Sequence, residues 1–136
     1  MNASASMVLE LAAFRPRPRG RATLAGWVSF TASRTGWTDV GAPTVTARYC
    51  LVDNLCYFQV QVVPNVTVAT VAGTSYITLP QAAAGITGDG SMMNLSTLIG
   101  IGNCVIDTAN SRVYVPTQTA TANTLTVGGW FEASGI

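Results

Sequence analysis

From Trp27 onward apolar and polar positions alternate, which is the period of a half-buried β-strand. The clearest case is TVTARYCLVDNLCYFQVQVV, Thr44 to Val63, in which two alternating runs flank Asp53-Asn54. A two-residue turn there pairs Val45 with Val62, Ala47 with Val60, Tyr49 with Phe58 and Leu51 with Cys56, an apolar face that belongs in a core. The other face pairs Thr46 with Gln61, Arg48 with Gln59 and Cys50 with Tyr57, so it meets water or a partner, as in an antiparallel sheet.

A second ribbon is expected over CVIDTANSRVYV, Cys104 to Val115, turning through Ala109-Asn110 with Ile106 opposite Val113. Asp107 then faces Arg112 as a cross-strand ion pair that fixes register more than it stabilises. Further strands are expected at Trp27 to Thr31, Val66 to Val71, Tyr76 to Leu79, Asn94 to Ile101 and Thr124 to Glu132. Roughly seven to nine short strands with this spacing imply an all-β, antiparallel β-sandwich. PQAAAGITGDGS, Pro80 to Ser91, reads as the longest loop, and GIGN, Gly100 to Asn103, as a turn.

The period is different ahead of Trp27. SMVLELAAF, Ser6 to Phe14, offers Ser6 as an N-cap and places Met7, Leu11 and Phe14 on one helical stripe. Pro16 and Pro18 end that short helix. They also push the preceding arginines toward extended backbone, so Arg15, Arg17, Arg19 and Arg21 splay around a polyproline-like ribbon. The division that follows is an N-terminal anchoring arm, residues 1–26, and a β-sandwich knob, residues 27–136. At 136 residues the chain is about one domain.

Charge sharpens the division. Residues 1–21 carry four arginines against Glu10, net +3, and residues 22–136 carry three arginines against five acids, net −2. The charged fraction is only 10%, against roughly 25% in ordinary soluble domains, as expected where other subunits cover part of the surface. A cationic ribbon can follow phosphates or lie in an acidic groove of a protein. About four phosphates per copy give weak, salt-sensitive binding, and the apolar helix suits a protein surface, so docking onto a protein is the stronger reading.

The chain has no histidine, and its seven basic residues are all arginines, so the usual general base and Schiff-base amine are missing. Acids at turns, dispersed cysteines and the lack of a P-loop lysine point away from an enzyme, a metal and a cofactor. Cys50, Cys56 and Cys104 form an odd set, and the hairpin puts Cys50 and Cys56 on opposite faces, which argues for free thiols in a reducing compartment. MNASASMVLELAAF lacks the basic leading region of a signal peptide, and no apolar run approaches the roughly 20 residues of a membrane helix. Trp27, Trp37, Trp130, Tyr57 and Tyr114 have two readings. They pack in a core or subunit interface, or they stack on sugar rings in a lectin-like site.

GWTDV (Gly36 to Val40), ARYCLVDNLCYFQVQV, GTSYITLP (Gly73 to Pro80) and the closing GGWFEA (Gly128 to Ala133) together resemble the small jelly-roll-like β-sandwich knob domains of tailed-bacteriophage virion proteins, over about residues 27–133. The resemblance implies a homotrimer, assembled in the host cytoplasm and displayed on the virion, as in tail-fibre tips, head fibres and capsid decoration proteins. Fibre proteins place a long shaft before the knob, whereas about 26 residues precede it here. The expectation is therefore a capsid decoration or cement protein, fastened to the major capsid protein or a tail protein by Met7, Leu11, Phe14, Arg15, Arg17, Arg19 and Arg21. The alternative is a receptor-binding fibre tip whose loops, Pro80 to Ser91 and Pro116 to Asn123, touch a host glycan or protein.

Overall fold

The computed structural model describes residues 26–134. The expected helix and arginine ribbon lie outside the described residues. Among those described, twelve strands follow in the order β1 (Val28–Phe30), β2 (Arg34–Thr35), β3 (Thr38–Val40), β4 (Thr44–Val52), β5 (Leu55–Val63), β6 (Thr67–Thr70), β7 (Tyr76–Thr78), β8 (Ala83–Asn94), β9 (Ile99–Asp107), β10 (Arg112–Tyr114), β11 (Gln118–Thr121) and β12 (Leu125–Ala133). The fold is all-β, with every pairing antiparallel. No helix of the described residues is long and apolar enough to cross a membrane.

β4 and β5 pair in the register that their pattern dictates, from Thr44 with Val63 to Val52 with Leu55. Asp53 adopts φ 55°, the left-handed conformation that a tight two-residue hairpin demands and that Asp tolerates better than most residues. Cys56, Phe58, Val60 and Val62 are buried, while Tyr57, Gln59, Gln61 and Val63 face out.

A nine-stranded sheet runs β1-β4-β5-β12-β8-β9-β10-β7-β2, and a three-stranded sheet runs β11-β6-β3. The large sheet curls. β9 pairs with β8 through Ile99 to Cys104, then with β10 through Val105 to Asp107, and the β8–β9 register shifts between Met92 and Met93. Such irregularities bend a strand and increase its twist. The curl gathers Phe58, Phe131 and Met92 from one half with Ile77 and Val113 from the other, and with Val68 of the small sheet, into one core. Phe58 and Phe131 meet with ring centroids 6.0 Å apart in a tilted arrangement.

Three expectations need correction. Pro80 to Ser91 is not a loop, because most of it is β8, held between β12 and β9. Its small residues serve close strand packing rather than a turn: a Cβ on Gly88 would come within 2.9 Å of Ile106. Gly100 to Asn103 is likewise strand, inside β9, whereas Leu95 to Leu98, within the strand expected over Asn94 to Ile101, form the turn. There Asn94 accepts from the amides of Ser96 and Thr97 through its side-chain oxygen, and Leu98 takes φ 61°. Finally, Asp107 and Arg112 are cross-strand partners, as the pattern requires, without touching as an ion pair. Asn110 donates its backbone and side-chain N–H groups to Asp107 and holds that carboxyl below its usual range. Arg112 instead lies over the Tyr76 ring, 4.3 Å from its centroid, with a 3.4 Å hydrogen bond to the Tyr114 hydroxyl.

Candidate binding groove

The outer face of the large sheet carries the chemistry. One cross-strand row reads Cys50, Tyr57, Trp130, Asp89 from β4 through β5 and β12 to β8. The next row, two residues along, reads Arg48, Gln59, Gly128, Ser91, Asn103 from β4 to β9. Gly128 brings no side chain to the middle of that second row. A gap therefore opens between Gln59 and Ser91, two interstrand spacings or about 9.5 Å wide. The result is a solvent-open groove of about 560 Å³, floored by Gly128 and walled by Trp27, Tyr57, Trp130 and Met93.

Glycine is required beneath this groove for a second reason. Gly129 and Gly90 are opposed where β12 crosses β8. A Cβ on Gly129 would lie 2.8 Å from the Gly90 Cα and closer still to the Asp89 carbonyl oxygen. The two backbones therefore approach more closely than any side chain permits, and this contact sets Trp130 directly beside Asp89.

Polar groups are fixed around the rim. Arg48 donates from Nε and Nη2 to Gln59 Oε1 at 3.0 and 2.8 Å, and its guanidinium lies 4.5 Å from the centroid of the Trp27 ring. That stack seats the Trp27 indole, 43% exposed, at one end of the groove. Asp89 accepts one hydrogen bond from the Gly90 amide, 2.9 Å, through Oδ1. Behind it, burial and the Asp89 charge push the Cys104 thiol up to about 12, so this sulfur stays protonated near neutral pH. The groove thus offers flat apolar rings, amide and hydroxyl groups and one carboxylate among its described lining residues. Among the described residues, no group of three or more His, Cys, Asp or Glu side chains is placed to hold a metal ion.

Of the five aromatics singled out from the sequence, the structure brings Trp27, Tyr57 and Trp130 into this groove. Trp37 instead packs against the core beneath the Arg34 guanidinium, 5.1 Å from its ring, with its Nε1 buried and unpaired. Tyr114 pairs with Tyr76 at 5.2 Å. The arm residues, Met7, Leu11, Phe14, Arg15, Arg17, Arg19 and Arg21, lie outside the described residues. Sequence reasoning missed Asp89, Ser91 and Asn103 as a set because their segments looked like loop and turn. The available signal was TGDGSMMN, in which Asp89, Ser91 and Met93 alternate with buried Gly90, Met92 and Asn94.

No family model, curated protein or solved structure matches this chain. Its functional reading therefore rests on its own residues and geometry.

Proposed function

We propose that this chain is a structural protein of a bacteriophage virion, a jelly-roll-like β-sandwich knob that assembles as a homotrimer and recognises a host surface receptor. The observation that carries the recognition role is the aromatic-lined groove, where Trp27, Tyr57 and Trp130 converge with Asp89 on an exposed sheet face. Concave sites with a few convergent polar groups are where proteins bind small ligands. Self-association draws support from the adjacent Leu98 and Ile99, which are 82% and 62% exposed at the start of β9 and in its preceding turn. The virion setting rests on the resemblance of the strand and turn pattern.

The second reading is capsid decoration through the basic arm, favoured by the concentration of net +3 in residues 1–21, four arginines against Glu10. Two variants separate the readings. Trp130→Ala should abolish adsorption to host cells and leave particles intact if the groove recognises a receptor. Replacing Arg15, Arg17, Arg19 and Arg21 by Ala should remove the protein from particles if the arm fastens it. Labelling purified particles with an antibody to the chain tests the virion setting itself, and unlabelled particles would refute it.

A further inference from the structure

We propose that the groove binds a neutral pyranose ring of a glycan, with Tyr57 and Trp130 as the stacking platform and Asp89 as the hydroxyl acceptor. This inference rests on the recognition reading above and gives it a ligand chemistry.

Three features of the geometry select a sugar. First, Tyr57 and Trp130 are direct cross-strand neighbours, so their Cβ atoms lie about 5 Å apart and their rings can together present an apolar surface the width of one pyranose. The C–H face of a sugar ring is apolar and its rim is hydroxylated, and an aromatic surface bordered by hydrogen-bonding groups matches both. Second, Asp89 is the next residue in the same row, one strand beyond Trp130. A ring resting on Trp130 has its rim within reach of that carboxylate, which accepts from two neighbouring hydroxyls and forms the stronger, charge-assisted kind of hydrogen bond. Third, Gln59, Ser91 and Asn103 stand across the Gly128 gap in the following row. They supply neutral donors and acceptors about 7 Å further along the strands, the distance of two residues, where the next sugar unit or its substituents would lie.

Charge narrows the class. The described lining residues contribute a carboxylate and no cation, and the nearby Arg48 already spends Nε and Nη2 on Gln59. A phosphate chain or an acidic sugar would bring a like charge toward Asp89, whereas nucleic-acid sites are lined by cations. Neutral hexoses, including N-acetylated ones, fit.

The test uses the full chain and saturation-transfer NMR with calorimetry against methyl glucoside, galactoside, mannoside and N-acetylglucosaminide, their neutral oligosaccharides, and oligogalacturonate as the acidic comparison. The expected result is saturable binding of at least one neutral series, with no binding of oligogalacturonate. Trp130→Ala and Asp89→Asn should each weaken that binding by about tenfold or more, while Val66→Ser, at an exposed position outside the groove, leaves it unchanged. Should Trp130→Ala fail to fold, Ser91→Trp fills the groove from a solvent-facing position and must also block binding. Absence of binding to every neutral sugar, preference for the acidic one, or binding indifferent to Trp130 and Ser91 would overturn the proposal. So would a change of solution mass in Trp130→Ala, which would make the groove a contact between copies. Loss of host adsorption in Trp130→Ala without any sugar binding would sink the sugar chemistry and leave the receptor reading standing. Sugar binding with adsorption intact would do the reverse.

Discussion

Gly129→Ala isolates the close approach on which the groove is built. Alanine ordinarily suits a strand better than glycine by about 0.5–1 kcal/mol, because glycine loses more backbone freedom on folding. At Gly129 the added Cβ meets the Asp89 carbonyl and, at 2.8 Å, the Gly90 Cα, both of them backbone and therefore unable to swing aside as a side chain would. Relief requires moving β8 from β12 at the centre of a ladder that runs from Leu125 opposite Asn94 to Phe131 opposite Gly88. Overpacking of this kind costs about 1–3 kcal/mol, and the rigidity of both contacts places Gly129→Ala at about 2–3 kcal/mol destabilising. Gly100→Ala is the control, since it lies in β9, has ordinary backbone geometry and would meet nothing within 4 Å. It should be neutral or stabilising by up to about 1 kcal/mol. Urea unfolding followed by tryptophan fluorescence reads both, with the midpoint shifting and the slope unchanged. Equal midpoints for the two variants would refute the reasoning, because their chemistry is identical and only the neighbouring backbone differs.

Ser75→Ala removes a fully buried hydroxyl that donates to the Gly36 carbonyl at 2.7 Å and accepts from the Val71 amide at 2.8 Å, so a loss of about 1–3 kcal/mol is expected in urea unfolding. A double-mutant cycle on Arg34 and Asp39, joined by two hydrogen bonds of 3.0 and 2.9 Å, should give a coupling of about 0.5–1 kcal/mol, whereas the same cycle on Asp107 and Arg112, which attract without touching, should give a smaller one. A thiol reagent at pH 8 should modify the half-buried Cys50 in the native protein and reach the buried Cys56 and Cys104 only after denaturation. Burial pushes both of those thiols up to about 12 from 9.0, so above pH 9 the unfolded chain sheds protons that the folded one keeps, and thermal stability should fall as pH rises from 9 toward 12.

Much of the fold was legible wherever one strand face is buried and the other is wet. In Thr44 to Val63 a one-residue slip would turn Cys56, Phe58, Val60 and Val62 of β5 from the core to solvent, so the pattern admits one register. The same logic placed Ile106 opposite Val113. It failed at β8, because glycine carries no sign of which face is buried and the Gly-rich run TGDG resembles a turn in local composition. Only the neighbours reveal the difference. Gly88 is packed against Ile106 and Gly90 against β12, contacts between segments far apart in the chain that local propensity cannot encode. Asp107 and Arg112 make the complementary point: register was legible, but the side-chain partners were decided by Asn110 and Tyr76, one a turn residue and the other a residue on another strand.

The groove was half legible for the same physical reason. Tyr57 declares itself as an outward residue of a well-patterned hairpin, and the sequence shows that Trp27 and Trp130 exist, but nothing local says that the three share a surface. Their convergence depends on β12, near the end of the described chain, inserting between β5 and β8. That insertion requires the backbone contact between Gly129 and Gly90, and the opening above it requires Gly128. The consecutive glycines of GGWFEA thus have separate tasks, one admitting a neighbouring strand and one leaving space for a ligand. Gly128→Ala distinguishes the two: its Cβ would touch nothing closer than the Phe58 carbonyl oxygen at 3.4 Å, an ordinary contact, so the fold should tolerate it. A methyl group on the groove floor should nevertheless weaken whatever the groove binds. A variant that unfolds as Gly129→Ala does would show that both glycines serve the backbone alone.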